Sequence, residues 1–185
     1  MHSTRWHRTA HAMRVAAIVA SAAACGGERT LGPREAPAFR RGVDLGACGQ
    51  LRAPEGSVVA AHLYARGVQI YRWNGASWAF EGPSAALYAD AGFTGQVGTH
   101  FAGPTWVHAG GSTVRGASPV ACTVDADAIP WLLLRATPES HAGIFGRVVA
   151  IQRVNTVGGR APGTPGTAPG EVRQVPYTAE YYFYR

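Results

Sequence analysis

The chain has 185 residues and a mass of 19.4 kDa, which suits one domain with appendages. Apolar residues make up 46% and charged residues 15%, a composition too apolar and too weakly charged for a wholly disordered protein. All 17 basic residues are arginine, which excludes a Schiff-base lysine, a cofactor-attaching lysine and the lysine of a phosphate-binding loop. The 24 glycines and 12 prolines predict many turns and few long helices.

Residues 1–24 have the features of an export signal. A basic segment without acidic residues precedes an apolar run, 15–24, that ends in small residues. This run is too short to cross a bilayer, which takes about 20 residues. Cys25 follows three alanines, as at the processing site of bacterial lipoproteins, so we expect a lipid anchor on its sulfur that attaches the protein to a membrane. Cleavage and secretion without a lipid is the alternative.

Loss of the leader changes the charge of the chain. Three of the arginines and no acidic residue lie in residues 1–24, so cleavage lowers the formal net charge from +6 to +3. No run of arginines with interleaved aromatic residues is left, so we expect no nucleic-acid partner. Cys48 and Cys122 then remain, and an exported protein could join them in a disulfide; two free thiols are the alternative.

The rest of the chain divides into a tether and one domain. Residues 25–56 carry the anchor cysteine and a polar stretch without periodicity, which predicts a flexible tether. Residues 57–185 consist of about ten short β-like runs separated by turn residues, among them 58–64, 67–73, 77–80, 85–89, 144–154 and 176–184. This rhythm predicts an all-β domain, either a β-sandwich or a small β-barrel, with little helix.

Turn signals predict two local features of this domain. The dipeptide Asn74-Gly75 is typical of a two-residue hairpin turn, which would place Tyr71 opposite Trp78. Residues 158–170 are dominated by glycine and proline and should form a long irregular loop. Such loops are lids or disordered connections, and the composition favours disorder.

Five blocks of sequence between residues 58 and 184 resemble the exported domain of unknown function 3455 family. They are GVQIY at 67–71, VGTHFAGPTW at 97–106, IPWLLL at 129–134, IQRVNTVGG at 151–159 and VPYTAEYYFY at 175–184. The resemblance implies an exported protein and no established activity. The chain also differs from the family in its cysteines. The resemblance implies one cysteine after the first block and another after the glycine pair at 158–159. Here Trp73 stands near the first of these positions, and no cysteine follows Cys122.

Four residues of these blocks are candidate ligand-binding residues. His100 precedes a Gly-Pro turn that leads to Trp106, and an imidazole beside an aromatic ring can stack on a ligand or transfer a proton. Arg153 and Asn155 end an apolar strand, where an arginine and an amide could orient a polar ligand. Each residue also has a structural interpretation, as a core residue or as a partner for strand-end carbonyls.

The sequence gives no cofactor motif and no paired metal-ligand spacing, so we expect neither a cofactor nor a metal site. The leading hypothesis is an exported protein of the bacterial cell envelope, lipid-anchored or secreted, with a structural or binding role. Its ligand would be a polar envelope molecule such as glycan, stacked on tryptophans such as Trp73 and Trp106. The alternative is a small envelope enzyme that uses His100 with a carboxylate or a metal.

Overall fold

The computed structural model describes residues 43–140 and 142–185. These residues form eight β-strands and one short 3-10 turn, Gly49–Leu51. The strands are β1 (Val59–Trp73), β2 (Trp78–Tyr88), β3 (Gln96–Phe101), β4 (Thr105–His108), β5 (Thr113–Cys122), β6 (Trp131–Pro138), β7 (Ala150–Gly158) and β8 (Val172–Tyr184). None of the helices found among them is long and apolar enough to span a membrane.

Each strand pairs antiparallel with the next, and β1 pairs with β8, so the sheet closes into an up-and-down barrel. Closure gives each of the described strands a neighbour on both sides, so the sheet has no edge strand at which edge-to-edge aggregation usually begins. The all-β prediction is therefore confirmed, in its barrel form.

The barrel has fewer and longer strands than the sequence indicates, because two predicted breaks lie inside strands. Gly67 continues β1, since its backbone lies so close to β2 that a Cβ there would come 2.2 Å from the Ser84 carbonyl oxygen. Gly82 and Pro83 continue β2 through a β-bulge, where the register shifts between Ile70 and Tyr71 of β1.

Alternation along the strands separates the barrel interior from its surface. On β8, Tyr177, Ala179, Tyr181 and Phe183 are buried, as the period of two predicts. The end of the barrel that holds the start of β1 and the end of β8 is filled by the core, to which the loop before β7 adds Phe145. Its ring lies 4.5 Å from that of Phe183. Residues 144–149, predicted as strand, thus form a turn that closes this end of the barrel.

The predicted two-residue hairpin turn is wrong. Tyr71 pairs with Phe80, and the cross-strand tryptophan pair is Trp73 with Trp78, whose rings lie 5.4 Å apart. The loop between them has four residues, because the Asn74 side chain accepts hydrogen bonds from the backbone of the two residues before Trp78, at 2.9 and 2.8 Å. A side chain that satisfies its own loop in this way widens the turn and shifts the register.

Residues 1–42, including the predicted export signal and Cys25, lie outside the described residues. The end of the predicted tether packs against the barrel. Cys48 forms a disulfide with Cys122 over a Cα–Cα distance of 5.8 Å, and Leu51 is fully buried. The Gln152 side chain donates a hydrogen bond to the Leu51 carbonyl at 2.7 Å. Residues 48–51, within the stretch predicted as a tether, are therefore fixed to the barrel.

The long loop between β7 and β8 is irregular, as predicted, but it is fixed by contacts rather than disordered. Trp78 donates its indole N–H to the Thr164 carbonyl at 2.9 Å. Gly166 lies so close to the Trp73 ring that a Cβ would come within 2.5 Å of it. The loop thus packs on the tryptophan pair of the β1–β2 hairpin, near the position where the family resemblance implies a cysteine in other members.

Candidate functional site

The end of the barrel opposite Phe145 contains a cavity of about 380 Å³. All eight strands contribute to its wall, through Gln69, Pro83, His100, Trp106, Gly116, Leu132, Arg153 and Tyr181 in strand order. Eight-stranded barrels are just wide enough to be filled by side chains or to hold one small ligand. Here the core fills one end of the barrel and the cavity occupies the other.

The cavity runs from an exposed rim to a buried floor. Phe80, with 56% of its surface exposed, lines the rim together with Pro104 and residues 117–119. At 117–119 a bulge interrupts the pairing of β5 with β6, and Ser118 adopts a φ of 50°. Bulges occur often at barrel rims, where they end the pairing of strands and leave an opening.

His100 and Trp106 form part of the floor. Their rings are stacked, with centroids 4.2 Å apart and planes 6° from parallel, and His100 is only 3% exposed. His100 Nδ1 lies 2.9 Å from the Thr105 carbonyl oxygen, which can only accept, so Nδ1 carries the proton and Nε2 the lone pair. Burial lowers the pKa of His100 to about 3, so the imidazole is neutral at physiological pH.

Four hydrogen-bond donors in this part of the barrel interior are buried without a partner: Gln69 Nε2, the Trp106 indole nitrogen and the hydroxyls of Tyr177 and Tyr181. Gln69, Trp106 and Tyr181 line the cavity. Gln69 and Tyr181 are each 1% exposed. A buried donor without a partner costs about 1–3 kcal/mol, so native proteins keep few of them, and those few are often at functional sites. Their concentration around one cavity marks it as the candidate site.

Arg153 projects from β7 into the same cavity. Its Nε and one terminal nitrogen donate to the Pro130 carbonyl at 3.1 and 2.8 Å, which holds the guanidinium near the mouth. In the part of the chain that the structure describes, no carboxylate pairs with it. Burial raises the pKa of the Tyr181 hydroxyl, and the charge of Arg153 opposes that rise.

Asn155, the fourth candidate, lies away from the cavity. It sits in a bulge of β7 with a φ of 49° and donates to the Glu180 carboxylate on the outer face of the barrel at 3.0 Å. His62 binds the same carboxylate at 2.7 Å and lowers its pKa. His100, Trp106 and Arg153 therefore share one site, and Asn155 belongs to a separate surface cluster.

The structure gives little support to the other expectations about this site. Trp106 is buried and Trp73 lies under the long loop, so neither presents an open stacking surface. Over residues 43–140 and 142–185, no aspartate, glutamate or second histidine lines the cavity beside His100. The same residues contain no group of three or more histidine, cysteine or acidic side chains that could hold a metal ion. His141 lies outside the described residues.

Gln69 and Tyr181 are site residues that the sequence analysis missed. Both occupy inward positions of strands that also place apolar or small residues inward, Leu63 and Ala65 on β1 and Ala179 on β8. A polar residue in such a series is the available signal, because an inward glutamine needs either a partner or a ligand.

The fold and the cavity define this protein as a small closed β-barrel with an internal cavity at one end. The chain belongs to the family described as "Protein of unknown function (DUF3455)", whose model matches residues 54–185. No curated protein and no solved structure showed a significant match to the chain.

Proposed function

We propose that this protein is an exported binding protein that holds a small molecule in the cavity of its barrel. The observation that carries the proposal is the pair of buried, unpartnered donors, Gln69 Nε2 and the Tyr181 hydroxyl, at the wall of a 380 Å³ cavity. Apolar pockets with a few convergent polar groups are typical of small-molecule sites, and barrel mouths are one of their usual places.

A bound ligand would lower the free energy of the folded protein by giving hydrogen-bond partners to the buried Gln69 and Tyr181 donors. A molecule with hydrogen-bond acceptors would satisfy the Gln69 and Tyr181 donors, while an apolar body would cover Leu132 and Leu134. The size of the cavity favours a compact amphipathic molecule over a glycan chain, of which only one sugar-sized part would enter. The enzyme alternative with His100 and a carboxylate has less support, because His100 has a backbone carbonyl as its hydrogen-bond partner.

Export and a lipid anchor on Cys25 are a separate part of the proposal, supported by the sequence of residues 1–25. The test is metabolic labelling of the full chain with radioactive palmitate in a bacterial host. We expect label in the membrane fraction, and none after Cys25→Ser. Unlabelled protein released to the medium would contradict the lipid anchor and support secretion without a lipid. Unprocessed protein in the cytosol would contradict export.

Binding in the cavity is tested with N-phenyl-1-naphthylamine, an uncharged probe that fluoresces in apolar surroundings. Leu132 and Leu133 are neighbours on β6 and point to opposite sides of the sheet, Leu132 into the cavity and Leu133 outward. We expect saturable binding by the full chain, at least about tenfold weaker after Leu132→Trp and unchanged after Leu133→Trp.

Circular dichroism of both variants shows whether the barrel is folded, and Leu132→Phe replaces the tryptophan variant if it is not. Equal loss of binding in both leucine variants would place the probe outside the barrel. No saturable binding by the unmodified chain would contradict the proposed function.

A further inference from the structure

We propose that the cavity selects a small monocarboxylate with an apolar body, its carboxylate bound by Arg153 and Tyr181. This inference rests on the proposed function and adds to it the chemical class of the ligand. It follows from the charge, the donors and the walls of the cavity.

The charge of the cavity is the first argument. Arg153 is the one charged side chain among the described residues that line it, and no carboxylate of the described chain neutralises it. A partly buried charge without a counter-ion is costly, so an anionic ligand would be favoured there. His100 is neutral and adds no charge. One positive charge matches a monoanion better than a phosphate ester with two negative charges.

The arrangement of donors is the second argument. Arg153 and Tyr181 are direct cross-strand partners in the β7–β8 pairing, so both start from the same level of the barrel wall. The Tyr181 hydroxyl and Gln69 Nε2 supply two further donors without partners. A carboxylate accepts up to about four hydrogen bonds and donates none, and its planar fork matches a guanidinium. The free groups of the cavity are thus complementary to a carboxylate.

The residues that line the cavity indicate the chemistry of the rest of the ligand. The rings of His100 and Trp106, which stack on each other, line the cavity together with Leu132 and Leu134, so most of its wall is apolar. An apolar cavity of about 150 Å³ is large enough for benzene. The 380 Å³ available here would therefore accommodate a body of two fused rings.

The experiment compares 2-naphthoate with its uncharged isostere 2-naphthamide by isothermal titration calorimetry at pH 7.5, with the full chain. We expect 2-naphthoate to bind more tightly than 2-naphthamide. Arg153→Gln should weaken 2-naphthoate about 10- to 100-fold, the range for a lost hydrogen bond to a charged group. It should change 2-naphthamide by less than about threefold. Arg135→Gln, which removes an exposed arginine of β6 outside the cavity, should change neither ligand.

The outcomes separate this inference from the proposed function. Equal affinity for both ligands, unaffected by Arg153→Gln, would leave a binding cavity without carboxylate selectivity and overturn the inference alone. No binding of either ligand, together with no binding of N-phenyl-1-naphthylamine, would overturn both. If Arg153→Gln does not fold, Arg153→Lys keeps the charge without the fork, and we expect it to retain only part of the preference for 2-naphthoate.

Discussion

Two buried tyrosines offer a matched test of the unpartnered donors. Tyr71 and Tyr181 are both inward residues of long strands, and both are less than a tenth exposed. The Tyr71 hydroxyl donates to the Gly159 carbonyl at 2.7 Å, whereas the Tyr181 hydroxyl has no acceptor for its proton. The substitution of each tyrosine by phenylalanine removes the same atom from two different environments.

The structure predicts different effects on the free energy of unfolding. Tyr71→Phe breaks a hydrogen bond and strips the Gly159 carbonyl of this donor, which should cost about 1–2 kcal/mol. Tyr181→Phe removes a hydroxyl that is desolvated in the folded protein without donating a hydrogen bond. We therefore expect the free energy of unfolding to stay the same or to rise by up to about 1 kcal/mol. The two variants should therefore differ by at least about 1 kcal/mol.

Urea unfolding of the full chain, followed by far-ultraviolet circular dichroism, measures this difference. Equal losses of stability in both variants would show that the Tyr181 hydroxyl has a partner in the folded protein, and the argument from unpartnered donors would fail. Tyr181→Phe should in addition weaken the binding of 2-naphthoate, which Tyr71→Phe should leave unchanged.

Three further predictions concern the barrel and the segments attached to it. The disulfide between Cys48 and Cys122 closes a loop with a sequence separation of 74. Replacing both cysteines by serine should therefore lower the free energy of unfolding by about 4 kcal/mol. A change below about 1 kcal/mol in urea titrations would contradict this estimate, which is based on the entropy of the unfolded chain. Burial lowers the pKa of His100 to about 3 from 6.5, so the unfolded chain binds the extra proton between these values. The free energy of unfolding therefore does not depend on the protonation of His100 above about pH 6.5, and it falls on acidification below that pH by up to about 1.4 kcal/mol per pH unit. We measure the free energy of unfolding at pH 7.5 and pH 5, and we expect His100→Gln to remove this part of the difference. In the long loop, Gly166→Ala should cost about 1–3 kcal/mol because a Cβ collides with an indole ring, whereas Gly163→Ala, with open space around it, should cost little; equal effects on the midpoint of thermal unfolding would mean that the loop is not packed.

The sequence predicted the fold because the alternation of inward and outward residues is a local property. The period of β8 alone places Tyr177 and Phe183 on the same face, although both faces carry large residues. The register of the first hairpin could not, since it depends on hydrogen bonds that the Asn74 side chain makes within the loop. Strand ends at Gly67 were misassigned because glycine is typical of turns and also of close strand contacts.

The candidate site was only partly predictable, for a physical reason. His100, Trp106 and Arg153 were selected one at a time, from local sequence, and the barrel brings them together. Asn155 is two residues from Arg153, but a bulge turns it to the outer face, and a bulge has no reliable sequence signal. Gln69 is recognisable only once the inward face of β1 is known.

A crystal structure of the full chain with 2-naphthoate bound would test the proposed site directly. We expect a closed eight-stranded barrel with the ligand in the cavity and its carboxylate within hydrogen-bonding distance of Arg153 and the Tyr181 hydroxyl. A barrel whose cavity is filled by repacked side chains, with the ligand on the outer surface, would contradict the proposed site.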